Sequence, residues 1–203
     1  MAGSADQIKK LREMTSAGIM ECRRALDEAG GDLDKATSLL RERGAATAAK
    51  KANRTAEEGT VMAYVHHGGK LGAIVELNCE TDFVARNEEF VTLAKELAMQ
   101  VAATSPKWIT KEEVPADYLT AQRAEFKKQA EDLGKGAQAD AVATEKLEQL
   151  ISQVVLHEQA YIRDQALTVA SLITDKVAKF GERIRVKRFT VYKLGEGGSD
   201  SAA

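Results

Sequence analysis

The side chains of this 203-residue chain that could do chemistry are few, and their spacing excludes more than it permits. Glu80 and Asp82 sit close together in the run Leu77–Phe90, LNCETDFVARNEEF. Two neighbouring carboxylates can divide general acid and base roles, but the sequence sets no pocket residues around this pair. His66 and His67 are adjacent, so on a strand they point to opposite faces and are badly placed to share a metal; His157 stands alone. The fragments Gly68-Gly69-Lys70 and Gly134-Lys135-Gly136 lack the glycine–lysine spacing that wraps phosphates in main-chain amides, so the chain is not expected to hold nucleotide itself. Cys22 and Cys79 are the only cysteines, each on an apolar stripe. Arg23 and Arg24 follow Cys22, but sequence neighbours on a helix diverge, which leaves no cation to activate the thiol. Both are expected to be buried free thiols. No catalytic residue, metal or cofactor is expected, and the chain does not read as an enzyme.

Recognition is the alternative to reaction, and the same run is where it is written. Ala73, Val75, Leu77 and Cys79 alternate as one face of a half-buried strand should. Asn87 followed by Glu88 and Glu89 reads as a helix N-cap with acids in the first turn, where the helix dipole favours them. Thr81-Asp82-Phe83-Val84 therefore falls in a connecting turn. A Phe there has two readings: a staple packed under its own helix, or an exposed probe.

Composition limits what such a probe could meet. The net charge is −2 and the charges are mixed, so no overall field attracts nucleic acid or an anionic membrane. No apolar run approaches membrane-spanning length, and the opening MAGSADQIKK lacks the apolar core of a secretion signal, so a cytoplasmic location is expected. Apolar residues make up 44% of the chain but aromatic ones only 5%, which favours helices.

The elements that must carry the turn follow from periodicity. Ser4 and Gln7 form a possible capping box ahead of Ile8, Leu11 and Met14. After a break at Thr15-Ser16-Ala17-Gly18, Ile19, Cys22, Leu26 and Ala29 make a second stripe. Asp32 caps a third helix through Leu33, Ala36 and Leu40, expected to stop at Gly44. Residues 1–44 thus read as a three-helix module similar to ubiquitin-associated domains. Residues 45–58, with Lys50, Lys51 and Arg54, read as a basic, solvated linker. An α+β core is expected over 59–195. It has strands at 60–66 and 71–79 joined by a Gly68-Gly69 turn and a helix from Asn87 bearing Phe90, Leu93, Leu97 and Val101. Helices follow at 116–133 and 140–156, then a short strand at Tyr161-Ile162. A helix ending at Phe180-Gly181 leads to a closing strand over 183–194 whose phase slips at Lys187-Arg188. The three strands imply an antiparallel sheet packed by helices. Residues 196–203 read as a flexible tail.

Three further segments join LNCETDFVARNEEF in one resemblance. Leu11–Asp32, LREMTSAGIMECRRALDEAGGD, Ala45–Asn53, AATAAKKAN, and Arg183–Gly197, RIRVKRFTVYKLGEG, occur in order. Together they resemble the bacterial elongation factor Ts family from about Gln7 to Gly198, in its short form with one core subdomain and no coiled-coil insertion. The resemblance implies a factor that removes GDP from elongation factor Tu. In the family the Phe matching Phe83 inserts beside the partner's magnesium and phosphate site, and the Asp matching Asp82 helps fix the displaced partner backbone. It implies partner contacts for Thr81, Asp82, Phe83 and Val84. It also implies them for Arg23, where the family usually has Lys, for Phe180-Gly181, and for one of His66 and His67. Arg23 reads equally as a solvated charge, and Gly181 as a plain helix cap. The short form implies a homodimer that restores a missing half. Rival readings are a helical scaffold, or a ribosome- or RNA-associated protein using the basic linker.

Overall fold

The computed structural model describes residues 4–15 and 17–196. The expected tail, 196–203, lies outside them apart from Glu196, as does Ser16 of the first helix break. The fold is α+β, a small antiparallel sheet of three strands packed by helices.

Three helices come first: α1 (Ala5–Thr15), α2 (Ile19–Glu28) and α3 (Leu33–Lys51). The capping box forms, with Ser4 N–H donating to Gln7 Oε1 at 2.9 Å and Gln7 N–H donating to Ser4 Oγ at 3.2 Å. Asp32 Oδ1 accepts from the amides of Asp34 and Lys35, both at 3.0 Å, and so caps α3. The stripes meet in a core of Leu11, Cys22, Ala25, Leu26, Ala36 and Leu40, with Ile8, Ala29 and Leu33 against it. Met14 and Ile19 were expected on those stripes and are exposed instead. They stand at the last turn of α1 and the first residue of α2. The third helix does not stop at Gly44. It runs on to Lys51 with Gly44 buried inside it, where a Cβ would make ordinary contact with Ala178 Cβ at 3.6 Å and Thr174 Cγ2 at 3.8 Å.

Next come β1 (Glu58–Val65) and β2 (Leu71–Cys79), the four-residue α4 (Asp82–Ala85) and α5 (Glu88–Thr104). Ala73, Val75, Leu77 and Cys79 are all buried, as are Phe90, Leu93, Leu97 and Val101. The helices α6 (Ala116–Asp132) and α7 (Ala139–Val154) follow, then a hairpin of β3 (Ala160–Tyr161) and β4 (Asp164–Thr168). The last elements are α8 (Val169–Phe180) and β5 (Arg185–Lys193). The sheet order is β1-β2-β5, so β5 is an edge strand. Its burial changes phase at Lys187-Arg188: Val186 is buried, then both basic residues are exposed, then Phe189 and Val191 are half-buried.

The chain forms two compact units. One holds the stretch up to Met62, Glu76–Ala94 and Ser171–Lys187. Within it Phe180 meets the fully buried Phe90 edge-on, ring centroids 6.5 Å apart. The other holds Ala63–Val75, Lys95–Ala170 and the chain from Arg188 onward. Its interior is tied by a buried amide pair. Gln100 Nε2 donates to Gln159 Oε1 at 3.1 Å, and Gln100 Oε1 accepts from Ile162 N–H at 2.8 Å, which fastens the β3–β4 hairpin to α5. Burying two amides is tolerated because each finds partners.

Candidate functional site: the turn after β2

Thr81 is the N-cap of α4, and its Oγ1 accepts from Val84 N–H at 3.3 Å. A helix of one turn has no stability of its own, so its position depends on what holds its ends. Val84 is buried and anchors one end from within. At the other end the carboxylate of Glu182 receives three donors. Its Oε2 accepts from the amides of Glu80 (3.0 Å) and Thr81 (3.1 Å), and its Oε1 from the Thr81 hydroxyl (2.6 Å).

Glu80 returns the interaction. Its Oε1 accepts from Arg183 N–H at 2.6 Å, and its Oε2 pairs with Arg54 at 3.3 Å. The Arg183 guanidinium donates to the carbonyl of Arg54. The Arg183 amide, followed by the Arg54 charge, holds the Glu80 carboxyl below the usual carboxylate range. Beneath the turn, Cys79 Sγ lies 3.2 Å from the Thr81 carbonyl. Burial, with the Glu182 carboxylate second, pushes this thiol up to about 11, so it is inert at neutral pH. Burial likewise raises Cys22.

On this fixed base Phe83 is 79% exposed. It does not pack under its helix, so the staple reading fails. Asp82 is exposed and pairs with Arg86 at 2.9 Å, a surface contact of small energetic weight.

The other expected positions divide between the units. Arg23 is exposed on α2. Helical spacing puts it on the same face as Ile19 and Met20, which are exposed apolar residues. The sequence reading assigned Ile19 to the core and overlooked Met20. An apolar residue at i−3 from an exposed Arg was the available signal. Phe180 is half-buried against Phe90, so only part of its ring is presented. Gly181 has φ +68°, the left-handed conformation of a helix C-cap, and its carbonyl accepts from Lys51 Nζ at 2.5 Å. In the second unit, His66 and His67 are exposed at the β1–β2 hairpin tip, where Gly68 and Gly69 both have positive φ as the tight turn requires. Tyr64 Oη and His66 Nδ1 are 3.0 Å apart.

Among the described residues no group of three or more His, Cys, Asp and Glu side chains could hold a metal ion, and no helix is long and apolar enough to cross a membrane. The site presents an apolar side chain and surface charges.

Comparison with known proteins shows the family. The family model described as "Elongation factor TS" matches residues 8–196. A protein named Elongation factor Ts from Thermotoga petrophila is 50% identical over 197 residues, 97% of this chain and 98% of its own length. Another of that name from Anaeromyxobacter dehalogenans is 50% identical over 195 residues, 96% of this chain and 89% of its own. A third, from Caldanaerobacter subterraneus, is 49% identical over 195 residues, covering 96% and 98%. With a match spanning every element from α1 to β5, the chain belongs to the elongation factor Ts family.

Proposed function

We propose that the chain is a guanine nucleotide exchange factor for elongation factor Tu, acting in the cytoplasm during translation elongation. The observation that carries this reading, beside family membership, is Phe83: a large apolar side chain 79% exposed on a turn whose base is fixed by five hydrogen-bonding and ionic contacts. Such an arrangement holds a wedge ready and leaves its surface unsatisfied until a partner covers it.

A GTPase holds GDP through Mg²⁺ and through main-chain amides around the β-phosphate. A wedge that shifts the segment carrying those groups weakens both contacts at once, and no covalent step is needed. The factor binds the nucleotide-free partner better than the GDP-bound partner and so shifts the population. By linkage GDP weakens the factor equally, and a nucleotide triphosphate in excess completes the cycle. Burying one Phe contributes about 1.5–3 kcal/mol, roughly a tenfold to hundredfold effect. The remainder of a large acceleration comes from other contacts. Residues 1–44 are assigned as the module that binds the partner, with Ile19, Met20 and Arg23 on its face. Phe180-Gly181 and the His66-His67 tip add secondary contacts.

The second half of longer relatives is replaced here by a second copy. In support, β5 lies at a sheet edge and Tyr192 is exposed. An apolar groove of about 360 Å³ in the second unit is lined by Val65, Ile74, Tyr192 and Leu194. Twofold pairing would cover that surface in both copies. Sedimentation in reductant reads a dimer that Phe189→Asp dissociates; a fully active monomer at micromolar concentration removes this part of the proposal.

The decisive experiment mixes the protein with elongation factor Tu carrying fluorescent GDP and follows release. Acceleration is expected, with weak dependence on salt. No acceleration, with RNA binding that falls steeply as salt rises, favours a nucleic-acid role for the basic segment at Lys50, Lys51 and Arg54 instead.

A further inference from the structure

We propose that Glu182 is the positioning residue of the Phe83 wedge, an inference that rests on the exchange reading above. Phe83 is too exposed to be aimed by its own contacts. The one-turn helix that carries it is fixed at two points: the buried Val84, and Thr81. Thr81 is held by Glu182 twice, through its amide at 3.1 Å and its hydroxyl at 2.6 Å, and the preceding amide of Glu80 is held at 3.0 Å. The direction of Phe83 is thus set by a carboxylate 101 residues away in sequence.

The donor set explains why the position needs a glutamate. Three donors converge on two oxygens, and both amides share one of them. Glutamine can offer one oxygen to the amides, but its amide nitrogen then meets the Thr81 hydroxyl as a donor, so one interaction changes sense. Aspartate is one methylene shorter and cannot span the same separation. The lock is reciprocal. Glu182 holds the amide of Glu80, while the carboxylate of Glu80 holds the amide of Arg183 at 2.6 Å, and Arg54 closes the ring through Glu80 Oε2. Segments 80–81 and 182–183 are therefore tied to each other in both directions. Glu182 follows directly on Phe180-Gly181, so the end of α8 and the wedge share one mounting.

Two measurements test this on the full-length protein. Hydrogen exchange on the free protein reads the amides of Glu80 and Thr81; stopped-flow release of fluorescent GDP from elongation factor Tu reads function. Glu182→Ala is expected to expose both amides. It should lower the plateau release rate about three- to tenfold, because a misaimed group loses most of its effect, while the half-saturating concentration moves less than about twofold. Phe83→Ala should leave the amides protected and slow release more. Combining the two should add less than about twofold to Phe83→Ala alone, since Glu182 acts chiefly through that ring. Glu182→Gln should fall between Glu182→Ala and the parent. Multiplicative losses in the double variant overturn the inference, as does normal release by Glu182→Ala beside slow release by Phe83→Ala. Normal release by Phe83→Ala overturns the wedge reading and the inference with it. If Glu182→Ala does not fold, Glu182→Gln and Thr81→Val carry the same comparison, the latter removing the hydroxyl that Glu182 Oε1 accepts from.

Discussion

Two exposed tips follow one another along this chain and are built in opposite ways. The hairpin tip around His66 and His67 is held mainly by main-chain bonds, with the Leu194 amide donating to the Lys70 carbonyl at 2.9 Å beside it. His66 N–H donates to the Leu71 carbonyl at 2.8 Å, Gly69 N–H donates to the His66 carbonyl at 2.9 Å, and two left-handed glycines close the turn. The tip around Phe83 is held by side chains from segments far apart in sequence: Arg54, Glu80 and Glu182. A turn that needs only to follow a partner's surface can be made locally and remain cheap to deform. A turn that must push a partner's backbone aside needs anchoring outside itself, or the force returns into the turn. The difference in construction is the physical ground for the different roles proposed for the two tips.

That contrast can be broken. The largest effect is expected from Phe83→Ala: GDP release slower by about tenfold to a hundredfold, the worth of one buried ring. Its melting temperature should stay within a few degrees of the parent, because an exposed side chain contributes little to folding. A large drop in melting with unchanged exchange per folded molecule would place Phe83 in the core. A smaller loss, about three- to tenfold, is expected when Glu182 is removed and the ring is kept.

Acid should separate the tips as well. The Glu80 carboxyl is held low mainly by the Arg183 amide and then by Arg54. Its folded-state pKa is below its unfolded one, so its stabilising contribution is present above the ordinary carboxylate range. It is lost as pH falls through the depressed value. As pH falls through that depressed value the amide of Arg183 should lose protection from exchange before that of His66, whose acceptor is a carbonyl that does not titrate. Equal loss at both would mean that Glu80 is not the local clamp. The smallest effect is expected from His66→Ala and His67→Ala, each changing release less than about threefold, as exposed contacts at the edge of an interface do. A tenfold loss from either would reverse the ranking of the two tips.

How far the molecule could be read in advance depended on whether the signal was local. The strand burying Ala73, Val75, Leu77 and Cys79, the capping box at Ser4 and Gln7, and the helix bearing Phe90 to Val101 each follow from periodicity within a dozen residues. The hairpin strand β4, DQALT, was not expected, because its only β-branched residue is its last and it shows no alternation; its pairing with β3 supplies what propensity lacks. The turn carrying Phe83 was legible as a turn, and family resemblance made it the candidate contact. Its support was not legible. Nothing around Glu182 in KFGERI announces that its carboxylate will meet Thr81. Burial was also misjudged at helix ends, where Met14 and Ile19 fit the stripe but are exposed.

The helix that continues past Gly44 has a consequence for anyone dividing this chain. Over Leu33–Lys51 it forms a single rod about 28 Å long, and a terminus placed after residue 44 would fall in its middle. The fragment beginning there would lose the residues that lead into its first turn. The fragment ending there would expose the last carbonyls of a truncated helix. The same continuity hides Lys50 and Lys51 from trypsin, which needs an extended backbone, while Arg54 lies just past the helix end. Limited digestion should therefore spare Lys50 and Lys51, and Arg54 is itself tied down, its carbonyl accepting from Arg183 and its guanidinium pairing with Glu80, so neither the glycine nor the helix end is a place to divide the chain.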